Sequence, residues 1–254
     1  MAAAMTLVLV RVSTMVALAP FFSGRAIPAR TKAVFTFAMC WLLAPVVAGV
    51  SASGVELSFP AMLGEVAVGL VYGVTLSLLS EMLLLAGQVV GLQFSFSLVN
   101  LLDPTSEIQT PLMGDLFQLF GTLVLITAGL DRVLLGSVMR SLHAVPPGSF
   151  PLAAMPMTAK TLVPMLSGSF FAALELAAPV LAATVLVEIT VALLGKISPQ
   201  LPVISLTIPL KTLAGFAMLV GSLALWPRFI EVRFSSLLDV AEKLIVQGVG
   251  AAKG

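Results

Sequence analysis

The chain has 254 residues, 59% hydrophobic and 10% charged, with a formal net charge of +1. A soluble globular domain carries about 25% charged residues, so this composition excludes an ordinary water-soluble fold and matches what lipid-embedded helices require. The net charge says nothing about nucleic acid, but no basic cluster is present to neutralise phosphates, and no nucleic-acid partner is expected.

Residues 1–22 read as a first helix interrupted only by Arg11. The start MAAAMTLVLV lacks the positive n-region of a signal peptide, so the helix is expected to be retained. The loop SGRAIPARTK follows, with Arg25, Arg30 and Lys32 clustered around Pro28. These charges favour a cytoplasmic first loop, while the later basic residues are too thinly spread to set the topology. Residues 33–50 carry no charge and are about the minimum length for a span. Cys40, the single cysteine, cannot form an internal disulfide and reads as a small core residue.

Between 61 and 102 there is no proline, and only Glu65 and Glu81 carry charge. As one helix this is roughly 60 Å at ~1.5 Å per residue, about twice the ~30 Å hydrocarbon thickness. It either folds into a hairpin near Gly87-Gln88 or is one long helix sheathed by protein. Gly69, Gly73, Ser77, Ser80, Gly87, Gly91 and Ser95 recur on one face at three- and four-residue steps. Small residues in register let another helix backbone approach closely. That neighbour lies within the same chain or, given the length of the stripe, in partner subunits.

The apolar run stops at Asp103-Pro104, where proline disfavours helix in the residue before it and cannot donate its own N–H. A short acidic segment with Thr105, Ser106, Glu107, Ile108 and Gln109 then closes at Thr110-Pro111, a step suited to the first turn of a new helix. Residues 116–130 are short for a span. Residues 131–145 set Arg132, Arg140 and His143 against Val133, Leu134, Val138 and Leu142, an amphipathic helix expected to lie along a surface. PPGSFPLAAMP is the clearest linker. A second long apolar helix, 161–195, contains Glu175 and Glu188, with kinks expected at Pro164 and Pro179. The loop KISPQLPV leads to an apolar helix at 206–226. In the tail at 228–246, Ile230, Phe234, Leu237, Leu238, Ala241 and Ile245 line one face, and Asp239 and Lys243 have a favourable four-residue spacing on the other.

Glu65, Glu81, Glu175 and Glu188 are functional candidates because charges are costly in a membrane. They form a proton or cation relay, pair with Arg11, Lys196, Lys211 or backbone groups, or face water. An enzyme is not expected. The one histidine, His143, lies on a surface-type helix, no HExxH or phosphate-binding glycine loop occurs, and no serine has a base placed by sequence. No cofactor or metal is implied. The twelve methionines read as core filling, although flexible thioethers also suit a seal around variable substrates.

Four segments, in order, resemble one known family. FFSGRAIPARTK is similar to the first loop of FliR proteins, and GLQFSFSLVNLLDPTSEIQTPLMGDL to their central segment. ISPQLPVISLTIPLK is similar to their loop and apolar-Pro-Leu-Lys step, and MRSLHAVPPG to the junction of their two halves. Gly129-Leu130-Asp131 and Pro202 depart from the family's usual polar residues.

The resemblance implies an all-α integral membrane protein with long kinked helices and helical hairpins. Residues 1–145 would form a FliP-like half, 146–157 a Pro-rich linker and 158–254 a FliQ-like half. It implies a non-enzymatic gate subunit of the flagellar type III protein export apparatus in the bacterial inner membrane. The implied partners are FliP-like, FliQ-like and FlhB-like subunits, unfolded export substrates and membrane lipid. In that family the loop matching Asp103 to Pro111 plugs the closed pore: Asp103 and Pro104 would set the turn, and Glu107 and Gln109 would project from it. Gly69, Gly73, Ser77, Gly87, Gly91 and Ser95 would serve helix packing and assembly. The related virulence export gates, of SctT type, are an alternative, and a secondary transporter using the glutamates is a more remote one.

Overall fold

With no water to satisfy them, backbone polar groups in lipid must pair within their own segment, so long apolar runs fold as helices. The computed structural model describes residues 2–19, 28–50, 56–94, 112–151, 155–198, 200 and 203–251. In chain order the helices are α1 (Ala2–Leu18), α2 (Ala29–Val50), α3 (Phe59–Gln93), α4 (Leu112–Thr127), α5 (Leu130–Ala144), α6 (Met155–Ile197), α7 (Val203–Ser222) and α8 (Trp226–Ala251). A 3-10 turn, Leu223–Leu225, joins the last two. No strand occurs among the described residues. Among the described residues four stretches are long and apolar enough to cross a membrane: Ala29–Gly49, Phe59–Gln93, Val163–Ile197 and Ser205–Gly248.

Several boundaries differ from the sequence expectation. Arg11 does not interrupt α1, which runs helical to Leu18, because its charge is neutralised inside the fold as described below. Arg30 and Lys32 lie in the first turn of α2 rather than in a loop. Helix α3 settles the choice left open at Gly87-Gln88. It is one unbroken helix of 35 residues, about 52 Å long at ~1.5 Å per residue, with no hairpin at Gly87-Gln88. In its most apolar stretch 61% of residues are buried, against 28% in Val163–Ile197 and 22% in Ser205–Gly248. Helix α3 is therefore sheathed by its own chain, while the two later spans turn most of their apolar surface outward. Helix α6 starts earlier than expected, at Met155, and stays helical through Pro164 and Pro179.

The chain forms two compact units. The first comprises Met1–Leu79, Leu125–Ser167 and Glu231–Gly254. Here α1 packs along α2, and Leu7, Tyr72, Leu76, Leu142, Phe234 and Leu238 are fully buried. Helix α5 buries Leu134, Val138 and Leu142 and exposes Arg132, Arg140 and His143, as its amphipathic pattern predicts, but Val133, expected on the apolar face, is exposed beside Arg132. Of the apolar stripe of α8, Phe234, Leu238, Ala241 and Ile245 are likewise buried here while Leu237 is only half-buried; Ile230, also buried, falls in the second unit. Among the described residues Glu242 of this helix pairs with Arg140 of α5, and no ion pair joins Asp239 to Lys243.

The second unit comprises Ser80–Val124 and Gly168–Ile230. Its aromatic centre is Trp226, whose ring centroid lies 4.6 Å from that of Phe117 and 6.3 Å, edge-on, from that of Phe120. Phe94 stacks on Phe216 at 4.6 Å, over the bare Cα of Gly215. Offset and edge-to-face pairs of this kind add about 0.5–1.5 kcal/mol beyond area burial.

Candidate functional site

An arginine within an apolar helix needs a full set of acceptors, because an unpaired buried charge is far costlier than a polar surface group. Arg11 has that set. Its Nε donates to Glu65 Oε2 at 2.6 Å and its Nη2 to Glu65 Oε1 at 3.1 Å, a bidentate fork between α1 and α3. Nη2 also donates to the Val145 carbonyl at 3.0 Å. Nη1 donates to the Ser141 carbonyl at 3.1 Å and to its hydroxyl oxygen at 3.3 Å. A guanidinium has five N–H donors, and all five are used.

The acceptors explain the position. Ser141 and Val145 stand at the C-terminal end of α5, where the helix dipole favours a cation; the Ser141 carbonyl also accepts from the Val145 N–H at 2.9 Å, while the Val145 carbonyl lies past the last turn, where helical donors run out. On the other side Glu65, wholly buried, accepts from the backbone N–H of Gly148 at 2.8 Å. Gly148 has φ +81, a conformation that glycine adopts without the steric cost of a Cβ, and the turn closes through Ser149 N–H to the Pro146 carbonyl at 3.1 Å. The PPG step of the linker is thus held onto α3. Gly64 fits the same contact: a Cβ there would lie 2.9 Å from the Phe150 carbonyl oxygen. One ion pair therefore ties α1, α3, the end of α5 and the following turn together.

This geometry binds rather than conducts. Both oxygens of Glu65 are occupied, and the pairing alternative for the glutamates holds here. It holds also for Glu188, which pairs with Lys211 of α7. Glu81 is exposed. Among the described residues no group of three His, Cys, Asp or Glu side chains is placed to hold a metal ion. Sequence reasoning placed Arg11 among the partners for the glutamates but missed Ser141, Val145 and Gly148. The one available signal was the glycine after two prolines, which marks a turn whose N–H needs an acceptor.

The small residues of α3 meet neighbours in their own chain. In the first unit Gly69 and Gly73 face α1: an added Cβ would lie 2.6 Å from the Arg11 carbonyl oxygen at Gly69, and 2.8 Å from Leu18 Cβ at Gly73. In the second unit Gly87 and Gly91 face α4: a Cβ would lie 2.6 Å from Gly114 Cα at Gly87, and 3.3 Å from Met113 Cβ at Gly91. Ser77 donates to the Val74 carbonyl at 2.8 Å within its own helix. Ser95, Arg25 and the loop residues Asp103, Pro104, Thr105, Ser106, Glu107, Ile108, Gln109 and Pro111 lie outside the described residues.

Membrane-length apolar helices, a buried charged fork between α1 and α3 and close glycine contacts define a polytopic helical membrane protein. The chain belongs to the bacterial export proteins, family 1, whose family model matches residues 2–237, and the FliR-family resemblance is thereby established. It is similar to the flagellar biosynthetic protein FliR of Escherichia coli (strain K12), at 25% identity over 93% of this chain and 90% of that protein. It is similar also to the FliR proteins of Caulobacter vibrioides, at 27% identity over 92% and 94% of the two chains, and of Bacillus subtilis (strain 168), at 24% over 95% and 94%.

Proposed function

We propose that this protein is a non-enzymatic gate subunit of the flagellar type III protein export apparatus in the bacterial inner membrane. The observation that carries this reading is the family match over residues 2–237, joined by relatives that are each called a flagellar biosynthetic protein. That name supports a flagellar system over a virulence one. The subunit assembles with FliP-like, FliQ-like and FlhB-like chains through a FliP-like half at 1–145 and a FliQ-like half at 158–254, joined by the linker 146–157, and passes unfolded flagellar proteins. Two features support assembly over autonomous transport: the apolar surface left uncovered on Val163–Ile197 and Ser205–Gly248, and the use of Glu65 and Glu188 in ion pairs.

Deletion of the gene from its native host is expected to abolish filaments and motility, and the tagged protein should co-purify with FliP-like and FliQ-like chains. A protein that isolates alone and drives proton-coupled solute uptake in liposomes would instead be a transporter. Within the gate, residues 103–111 act as the plug. Deleting Thr105 to Gln109 is expected to leave co-purification intact while making the membrane leaky to ions, read as dye or conductance flux in assembled complexes. Unchanged flux in those complexes would remove the plug assignment.

A further inference from the structure

In the first unit, the last turn of α5 and the end of α8 line an open cleft of about 480 Å³ over Tyr72 of α3. Its volume falls within the ~300–1,000 Å³ of small-molecule sites. The buried side chains of Tyr72 and Ile245 form its floor, while Ala144, His143 and Val246 stand exposed at its mouth. Between them lies the Arg140–Glu242 pair, with side chains 55% and 27% exposed. The pair is one-sided: Arg140 directs both Nε and Nη2 to the same Glu242 oxygen, Oε1, at 2.8 Å. Among the described residues this leaves Arg140 Nη1 as an unused donor and Glu242 Oε2 as an unused acceptor. His143 Nδ1 lies 2.9 Å from the Met139 carbonyl oxygen. A carbonyl only accepts, so Nδ1 carries a proton, and in the neutral tautomer that this bond selects the lone pair is on Nε2.

An apolar hollow is thus rimmed by a cation with a spare donor, an anion with a spare acceptor and an imidazole with a free lone pair. A purely anionic ligand meets Glu242, and a purely cationic one meets Arg140. A zwitterion answers both, and charge-assisted hydrogen bonds of this type are the strong ones. We propose that the cleft binds one zwitterionic membrane phospholipid with a primary ammonium headgroup, of the phosphatidylethanolamine class. Its phosphate lies against Arg140 Nη1, its ammonium against Glu242 Oε2 and His143 Nε2, and the start of an acyl chain against Tyr72, Ile245 and Val246. Membrane lipid is the source, because the same chain carries four helices of membrane-spanning length. The quaternary ammonium of phosphatidylcholine has no N–H to donate and is discriminated against.

The test is native mass spectrometry of the full-length protein in detergent with equimolar phosphatidylethanolamine, phosphatidylcholine and phosphatidylglycerol of identical acyl chains. One phosphatidylethanolamine should be retained at least about tenfold over either competitor, equivalent to ~1.4 kcal/mol. Arg140→Gln and Glu242→Gln should each weaken its retention by a similar factor. So should Ala144→Phe, which fills the mouth while keeping both charged residues and decides the matter if the charge variants unfold. Lys243→Gln, at an exposed charge outside the lining, should retain the lipid fully. Equal retention of phosphatidylglycerol, or undiminished retention by Ala144→Phe, would overturn the site. Displacement of the lipid by free glycerophosphoethanolamine at matched concentration would overturn the membrane lipid as its occupant.

Discussion

Removing either member of the Arg11–Glu65 pair is expected to destabilise the protein by about 3–5 kcal/mol, the loss seen when one partner of a buried ion pair is left uncompensated. Arg11→Met strands Glu65 and frees the Val145 carbonyl. Glu65→Leu strands a guanidinium between α1 and α3 and leaves the Gly148 N–H without its acceptor. The double variant should recover part of the loss, since no lone charge remains. It should not recover all of it, because the Val145 carbonyl and the Gly148 N–H stay orphaned at about 1–3 kcal/mol each. Thermal or denaturant unfolding of the purified protein in detergent, arranged as a double-mutant cycle, measures the coupling. Single variants within 1 kcal/mol of the parent, a threshold near the ~0–1 kcal/mol typical of exposed pairs, would show that the fork does not hold the four elements together.

The second large effect is expected at Gly87 and Gly69. A Cβ at Gly87 would sit 2.6 Å from Gly114 Cα and 2.7 Å from its nitrogen, and one at Gly69 would sit 2.6 Å from the Arg11 carbonyl oxygen. These neighbours are backbone and cannot rotate aside, so even alanine must push two helices apart. The cost should reach the upper end of the ~1–3 kcal/mol typical of overpacking, and leucine should exceed it. Gly91→Ala meets only the Met113 side chain at 3.3 Å and should be mild. Gly168→Ala and Gly221→Ala have nothing within 4 Å and serve as controls. Unfolding midpoints of this series should therefore rank with backbone distance rather than with the presence of a GxxxG motif. If Gly87→Ala matched Gly168→Ala, the close approach of α3 and α4 would be refuted. Because these contacts are intrachain, loss of co-purification by a Gly87→Leu subunit would begin with its own misfolding. The milder Gly91→Ala reads assembly more directly.

Much of this molecule is legible from composition and local pattern. Apolar runs bounded by Pro28, Pro60 and Pro146 mark the helices, since lipid allows a spanning chain no other means of satisfying its backbone. The alternation within 131–145 and 228–246 marks their buried faces, because a 3.6-residue period sorts side chains onto one side. The glycines of α3 announce close neighbours, and four ordered segments point to the export family later established over residues 2–237.

What local pattern leaves open is every choice among distant partners. Four glutamates and several cations allow many pairings, and only the packing of α1 against α3 brings Arg11 to Glu65, 54 residues away, while Glu242 reaches Arg140 across 102. The same holds for α3 itself. Its 35 residues were compatible with a hairpin or a single helix, and the difference lies in whether protein covers it. The neighbours that the small residues await, α1 for Gly69 and α4 for Gly87, are likewise set by tertiary contact. Helix periodicity and proline act within a few residues and can be read in one dimension. Charge neutralisation and backbone approach depend on which surfaces meet, and only the folded chain decides that.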